Sequence, residues 1–335
     1  MMKLRFSEIP GMFEILSETA EVYAPADEDG RVRMTRWQGG QPAQDYINPD
    51  NSLKDLLYPQ TEELARFEGG YEDLSISEPA APPDRVIFGT RPCDALALAR
   101  VGRVFSEGDF TDERFSKQRE AAMVITVACE QSGPDCFCTT MGGSPAGTRG
   151  SDVVGYPLGD SLYLEAVTDR GDELLTQLAE HLEEASDEEA ERAREHCEST
   201  EVSAADDLPV REFGEDLFDH PLWAHLSERC LSCGVCGYVC PSCYCFAIFD
   251  AVRGTCGRRM RGWDSCQFED FSLMAADHNP RPTPLERVRQ RFMHKLVYFP
   301  QGYEEFQCVG CGRCVTKCPV GLHMLAVITD MEEVI

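Results

Sequence analysis

Two runs of four cysteines carry the chemistry of this chain. Cys230, Cys233, Cys236 and Cys240 stand at gaps of two, two and three residues, with Pro241 directly after. Cys308, Cys311, Cys314 and Cys318 repeat the spacing, with Pro319 after it. Three thiolates at two-residue gaps form a loop tight enough to wrap one face of an iron–sulfur cubane, with backbone N–H groups turned toward the sulfides. The fourth cysteine is expected to open a helix leading away, where a proline in the first turn gives up no needed hydrogen bond. Zinc is the weaker account. A structural zinc takes four ligands, usually from two separated Cys-x2-Cys pairs, whereas here eight cysteines fall into two identical runs. The spacing therefore predicts two [4Fe–4S] clusters and one-electron transfer.

In two-cluster ferredoxins the fourth cysteine of each run serves the other cluster. One cluster is then expected on Cys230, Cys233, Cys236 and Cys318, the second on Cys308, Cys311, Cys314 and Cys240. The exchange keeps the two close, as a wire requires. A further group, Cys93, Cys129, Cys136 and Cys138, follows two predicted strands and the loop after them. It is read as a third [4Fe–4S] cluster, standing away from the ferredoxin pair at one end of the wire; the alternative is four small core residues. The Gly-rich stretch 142–147 would wrap it. Cys243, Cys245, Cys256 and Cys266 offer either one more site or thiols packed beside the second cluster, where hydrogen bonds tune potential. His278 and His294 are read as structural.

These sites need elements to hold them. Arg85–Thr90 and Met123–Ala128 read as buried strands joined by a helix over 94–105, which is the pattern of a parallel α/β layer. Neighbouring strand ends would bring Cys93 and Cys129 to one edge. Met12–Tyr23 reads as a short helix ended by Pro25, 153–168 as a hairpin around Gly159–Asp160, and 172–198 as acidic helix with a capping box at Ser186–Glu189. Residues 26–82 give weak signals. Residues 199–216 form a polar linker. The expected architecture is an α+β or α/β N-terminal domain, 1–210, followed by a mainly helical dicluster ferredoxin-like domain, 211–335. Helical stretches are expected at Phe246–Val252 and Pro284–Tyr298, within the 67 residues between Cys240 and Cys308.

Composition narrows the function. The 335 residues include 31 basic and 59 acidic ones, a net charge of −28. That excludes a phosphate backbone as partner, which needs a positive footprint, and disfavours an anionic membrane surface. No apolar run reaches the roughly 20 residues needed to span a bilayer, and the N-terminal residues lack the apolar stretch of a signal peptide. Seventeen cysteines without an export signal suit metal ligation in a reducing cytoplasm. One basic island, Arg253–Lys295, holds nine basic residues against five acidic. It would pair with the acidic N-terminal half, contact another subunit, or raise cluster potentials. No dinucleotide fingerprint, catalytic triad or carboxylate pair is present, so the chain shows no catalytic site of its own.

The insert has its own signature: Cys243-Tyr244-Cys245, Arg261-Gly262-Trp263-Asp264-Ser265-Cys266-Gln267-Phe268, His278-Asn279-Pro280-Arg281-Pro282, and the stretch from Arg287 to Lys295. With Cys308-Val309-Gly310-Cys311-Gly312-Arg313-Cys314 it resembles the β (iron–sulfur) subunit of cytosolic NAD(P)-linked hydrogenases, or sulfhydrogenases. It is also similar to the corresponding iron–sulfur subunit of anaerobic sulfite reductase. Phe88-Gly89-Thr90-Arg91-Pro92-Cys93-Asp94, Cys129 and Cys136-Phe137-Cys138 extend the likeness into the N-terminal half. The resemblance implies an electron relay between a flavoprotein subunit that oxidises NAD(P)H and a hydrogenase small subunit of a sulfur-reducing enzyme. In the sulfite reductase the far partner is a sirohaem protein. The alternative from another class is a stand-alone redox sensor, although no output domain is evident. The chain purified without oxygen is expected to carry at least about eight irons by metal analysis; stoichiometric zinc with little iron would contradict the cubane reading.

Overall fold

The computed structural model describes every residue except 71, 203, 205–212, 334 and 335. The expected boundary near residue 210, and much of the linker, lie outside the described residues.

The strands form two sheets. They are β1 (Met2–Arg5), β2 (Glu21–Glu28), β3 (Arg31–Arg36), β4 (Thr61–Glu68), β5 (Ser75–Ser77), β6 (Arg85–Thr90), β7 (Ala122–Val127), β8 (Val153–Leu158), β9 (Ser161–Ala166), β10 (Glu183–Glu184), β11 (Phe246–Arg253) and β12 (Cys256–Trp263). The large sheet runs β10-β1-β9-β8-β7-β6-β2-β3. Its centre, β2-β6-β7-β8, is parallel. These strands are largely apolar because helices cover both faces. Ile9–Leu16 packs on one side through Met12, Phe13 and Leu16, and Pro92–Ser106 on the other through Leu98, Val101 and Phe105. The Arg85–Thr90 strand, the helix after it and its parallel partner thus follow the sequence pattern. So do the hairpin of β8 and β9 and the capping box, in which Ser186 accepts from the Glu189 N–H and Glu189 from the Ser186 N–H.

Two segments differ. The first helix ends at Leu16, and Pro25 lies inside β2. The parallel pairing of β2 with β6 stops at Tyr23, so no ladder bond on that side needs the N–H that proline lacks. Phe246–Arg253 is a strand, not a helix. It is rich in aromatic and branched residues and turns back through Gly254–Thr255, with Arg253 opposite Cys256. A short apolar run is ambiguous by periodicity alone, and the turn decides it.

That hairpin ties the chain together, because β12 pairs with β4 and β4 with β5, giving a second sheet in the order β11-β12-β4-β5. Beneath it, Tyr244, Phe246 and Trp263 join Tyr58, Phe105 and Phe115 in one core. The helix expected over 284–298 is present as Pro284–Met293 followed by a π-helical turn, His294–Tyr298. With Trp223, Leu226 and the helix Met324–Glu332 it builds the C-terminal core.

The basic island serves this junction. Arg261 donates to Glu62 at 2.8 and 2.5 Å and also to Asp112, and the Arg261 and Glu62 side chains are each 4% exposed. Removing one partner of a buried pair strands the other charge. Arg261→Met is expected to lower stability by about 3 kcal/mol, read by chemical denaturation of the anaerobic protein. Arg261→Met with Glu62→Gln should recover part of the loss, and additive losses would refute the pairing.

Candidate iron–sulfur sites

Both cysteine loops fold alike. Ser232 and Gly234 in the first, and Gly310 and Gly312 in the second, have φ of 52°, 73°, 63° and 76°. Left-handed residues at alternate positions turn successive N–H groups to one side, a concavity that receives negative charge. The Ser232 N–H donates to Cys230 Sγ at 3.4 Å, and the Gly310 N–H serves Cys308 likewise. Short helices follow, Val235–Tyr238 and Arg313–Lys317. The fourth cysteines do not open helices as expected. Cys318 closes Arg313–Lys317 with extended backbone, φ −75° and ψ 115°, and Cys240 likewise follows its helix. Each precedes a proline, whose ring drives the residue before it out of the helical region.

Cys230, Cys233, Cys236 and Cys318 line one cavity together with Gln267 and Arg291. Thiols from both runs therefore face the same space. Cys240 lies instead with the second run. Burial pushes the Cys308 thiol up to about 11 and those of Cys311 and Cys314 to about 12, and the Cys240 charge adds to all three. Among the described residues no three His, Cys, Asp or Glu side chains converge as ligands of one metal ion. A cubane asks for something else: four thiols around a larger body, each on its own iron. The cavity, the N–H groups aimed at sulfur and the all-thiol donor set fit that group.

Cys93, Cys129, Cys136 and Cys138 collect at the C-terminal edge of β6 and β7. Burial raises all four thiols, Cys138 to about 12, and the charge of Cys129 raises Cys93 and Cys138 further. The Gly-rich loop lies against them: the Cys129 N–H donates to Pro145 O and the Gly143 N–H to Cys138 O, both at 2.9 Å. This group does not stand away from the ferredoxin loops. The Phe137 N–H donates to Gly310 O at 2.9 Å, and a Cβ on Gly310 would collide with the Phe137 carbonyl. Asn48 bridges the two, accepting from Cys93 Sγ at 3.5 Å and donating to Cys311 O at 2.9 Å. Arg100 donates to Cys308 O at 2.6 Å and Met141 O at 2.8 Å.

Comparison with known proteins now adds to the geometry. The family model of the 4Fe-4S dicluster domain matches residues 229–322. Over 338 aligned positions the chain is 26% identical to sulfhydrogenase 2 subunit beta of Pyrococcus furiosus, covering 99% of this chain and 98% of that protein. The chain is related to a sulfhydrogenase β subunit along nearly its whole length. No solved structure matches it. Residues 229–322 are thus an iron–sulfur, electron-transfer domain of the [4Fe–4S] kind, as the spacing of the two runs predicts.

The other cysteines separate. Cys243 shares a hydrogen bond with Cys240, which holds the Cys240 thiol well below its ordinary value. A hydrogen bond with Cys245 holds the Cys266 thiol below its ordinary value. Cys256 is exposed at the hairpin turn with Glu68, apart from these. His294 meets the Tyr244 hydroxyl at 3.1 Å; burial, then Lys295, lowers it to about 4, so it is neutral at pH 7. Sequence reasoning gave no role to Asn48, Arg100 or Asp94. For Asp94 the signal was present, a carboxylate beside a cysteine and an arginine between two cysteines of the second loop. Asn48 lies in a stretch without pattern.

Because Cys318 faces the cavity of the first run, Cys318→Ser is expected to perturb the spectrum of the cluster on Cys230, Cys233 and Cys236. Loss confined to the cluster on Cys308, Cys311 and Cys314 would show the ligand exchange to be wrong.

Proposed function

We propose that the chain is the electron-relay subunit of a hydrogenase complex, carrying electrons between an NAD(P)H-oxidising flavoprotein and a sulfur-reducing hydrogenase catalytic subunit. The observation that carries this is the continuity of three cysteine groups. The first run is the outward one, with Cys233 exposed and Leu231 64% exposed beside it. The second run is interior, and Cys311 adjoins Cys93 of the third group. In this reading Cys230, Cys233, Cys236 and Cys318 hold one cubane, Cys308, Cys311, Cys314 and Cys240 the next, and Cys93, Cys129, Cys136 and Cys138 a third. Residues 1–210 and 211–335 are the two units that bring them together.

Bound cubanes supply one-electron transfer. The protein's part is to exclude water from the inner thiols, to aim N–H groups at sulfur and to fix the distances between groups. Arg100 and Asn48 do the last, each bonding the second ferredoxin loop to the N-terminal group. No residue of the chain is asked to move a hydride, which suits a protein that works between two others.

Mass spectrometry of the complex purified without oxygen tests the reading. A flavoprotein and nickel–iron hydrogenase subunits should accompany the chain; a sirohaem protein in their place would assign it to a sulfite reductase, and a chain purified alone would reject the relay. The isolated chain is expected not to oxidise NAD(P)H, and robust turnover without a flavoprotein would reveal a site of its own. Iron should reach about twelve per chain and fall to about eight in Cys136→Ala with Cys138→Ala; an unchanged content would return these residues to the core.

A further inference from the structure

Of the basic side chains buried beside the ferredoxin cysteines, Arg313 and Arg100 are paired with Asp94 and Glu305; Lys54, Arg291 and Lys295 are 6%, 5% and 2% exposed. Lys54 is accounted for by the Trp263 ring, 3.7 Å away, and by the Tyr238 carbonyl at 3.2 Å. Arg291 and Lys295 have no carboxylate in an ion pair among the described residues. Arg291 donates to Cys236 O at 2.9 Å and to Cys243 Sγ at 3.5 Å, and it lines the cavity of Cys230, Cys233, Cys236 and Cys318. Lys295 donates to Ser242 Oγ at 3.0 Å, and that hydroxyl meets Cys240 Sγ at 3.4 Å.

Burying a cation is costly, and it is kept where an anion, oriented dipoles or an aromatic face meets it. Burial works against the charge on both residues. What each cation meets is cysteine: Cys236 and Cys243 at Arg291, and Cys240, through Ser242, at Lys295. The two side chains sit on consecutive turns, where the helix Pro284–Met293 passes into the π-helical turn His294–Tyr298. A π turn inside a helix commonly marks a functional position. Here Arg291, on the last turn of the helix, reaches Cys236, and Lys295, in the π turn, reaches Ser242 beside Cys240, the cysteine assigned to the second cluster.

We propose that Arg291 and Lys295 are the built-in counter-charges of the two ferredoxin clusters. Arg291 serves the cluster on Cys230, Cys233, Cys236 and Cys318, and Lys295 the cluster on Cys308, Cys311, Cys314 and Cys240. The inference rests on the cluster assignment above. In a cubane with four thiolates the ligands outweigh the positive core, and reduction adds one more negative charge. A fixed buried cation stabilises the reduced state more than the oxidised one and so raises the potential. The pair would thus set the order in which the two clusters fill.

The test is a redox titration of the full chain, followed by electron paramagnetic resonance, with iron content measured on every sample. Wild-type protein that lacks the clusters would defeat the assignment before the inference is reached. With iron retained, Lys295→Met should shift the potential of the second cluster to more negative values and move the first less. Arg291→Met should do the reverse, and Arg291→Lys and Lys295→Arg should stay near wild type. Unchanged potentials in both methionine variants at full iron content would overturn the proposal. If a methionine variant loses its iron, the charge-conserving variant decides: iron retained at wild-type potential supports a counter-charge, and iron lost there too shows that only side-chain shape matters, which would overturn it.

Discussion

Arg313 and Asp94 hold each other through two hydrogen bonds of 2.6 and 2.7 Å, with side chains 4% and 1% exposed, from positions 219 residues apart. A planar guanidinium matched to a carboxylate in this way fixes direction as well as distance. Arg313 stands between Cys311 and Cys314, and Asp94 follows Cys93 in the first turn of the helix Pro92–Ser106. The pair therefore locks the second cysteine loop onto the open edge of the parallel sheet. Losing either partner of such a pair costs about 3–5 kcal/mol. The contacts of Asn48, Arg100 and Gly310 all presuppose this alignment.

The same constraint explains how charge is distributed. Inner thiols are withdrawn from water, and burial alone would keep them protonated. What offsets this is local: N–H groups aimed at sulfur and two basic side chains, Arg291 and Lys295, with no carboxylate paired to them among the described residues. Two other buried arginines behave differently. Arg261 and Arg313 are each matched to carboxylates and stitch segments together. The basic island thus divides by partner, with Arg261 pairing the N-terminal half and Arg291 and Lys295 facing the cysteines.

Legibility in the sequence followed the range of the interactions. The cysteine runs, the strands Arg85–Thr90 and Met123–Ala128 and the capping box at Ser186 are local patterns, and each was readable. The place expected for the fourth cysteine came only through the ferredoxin rule; the structure puts Cys318 in the cavity of the first run. The helices expected to open at Cys240 and Cys318 are absent because turns follow at both prolines; the restriction that proline puts on the residue before it accounts only for the extended cysteine. Phe246–Arg253 was misread because periodicity alone does not separate a short apolar strand from a helix; the adjacent turn at Gly254–Thr255 and the pairing of β12 with the distant β4 make it a strand. Asn48 carries no signal at all. Its role comes from a loop that happens to pass between two cysteine groups, which only the tertiary fold reveals.

The central claim is that the cysteine groups form one contiguous wire rather than separate sites. Magnetic coupling tests it most directly, because unpaired electrons interact only at short range. The fully reduced, full-length chain should give an electron paramagnetic resonance spectrum broadened and split by interaction between neighbouring clusters. A spectrum that is the plain sum of isolated, non-interacting clusters would contradict the account.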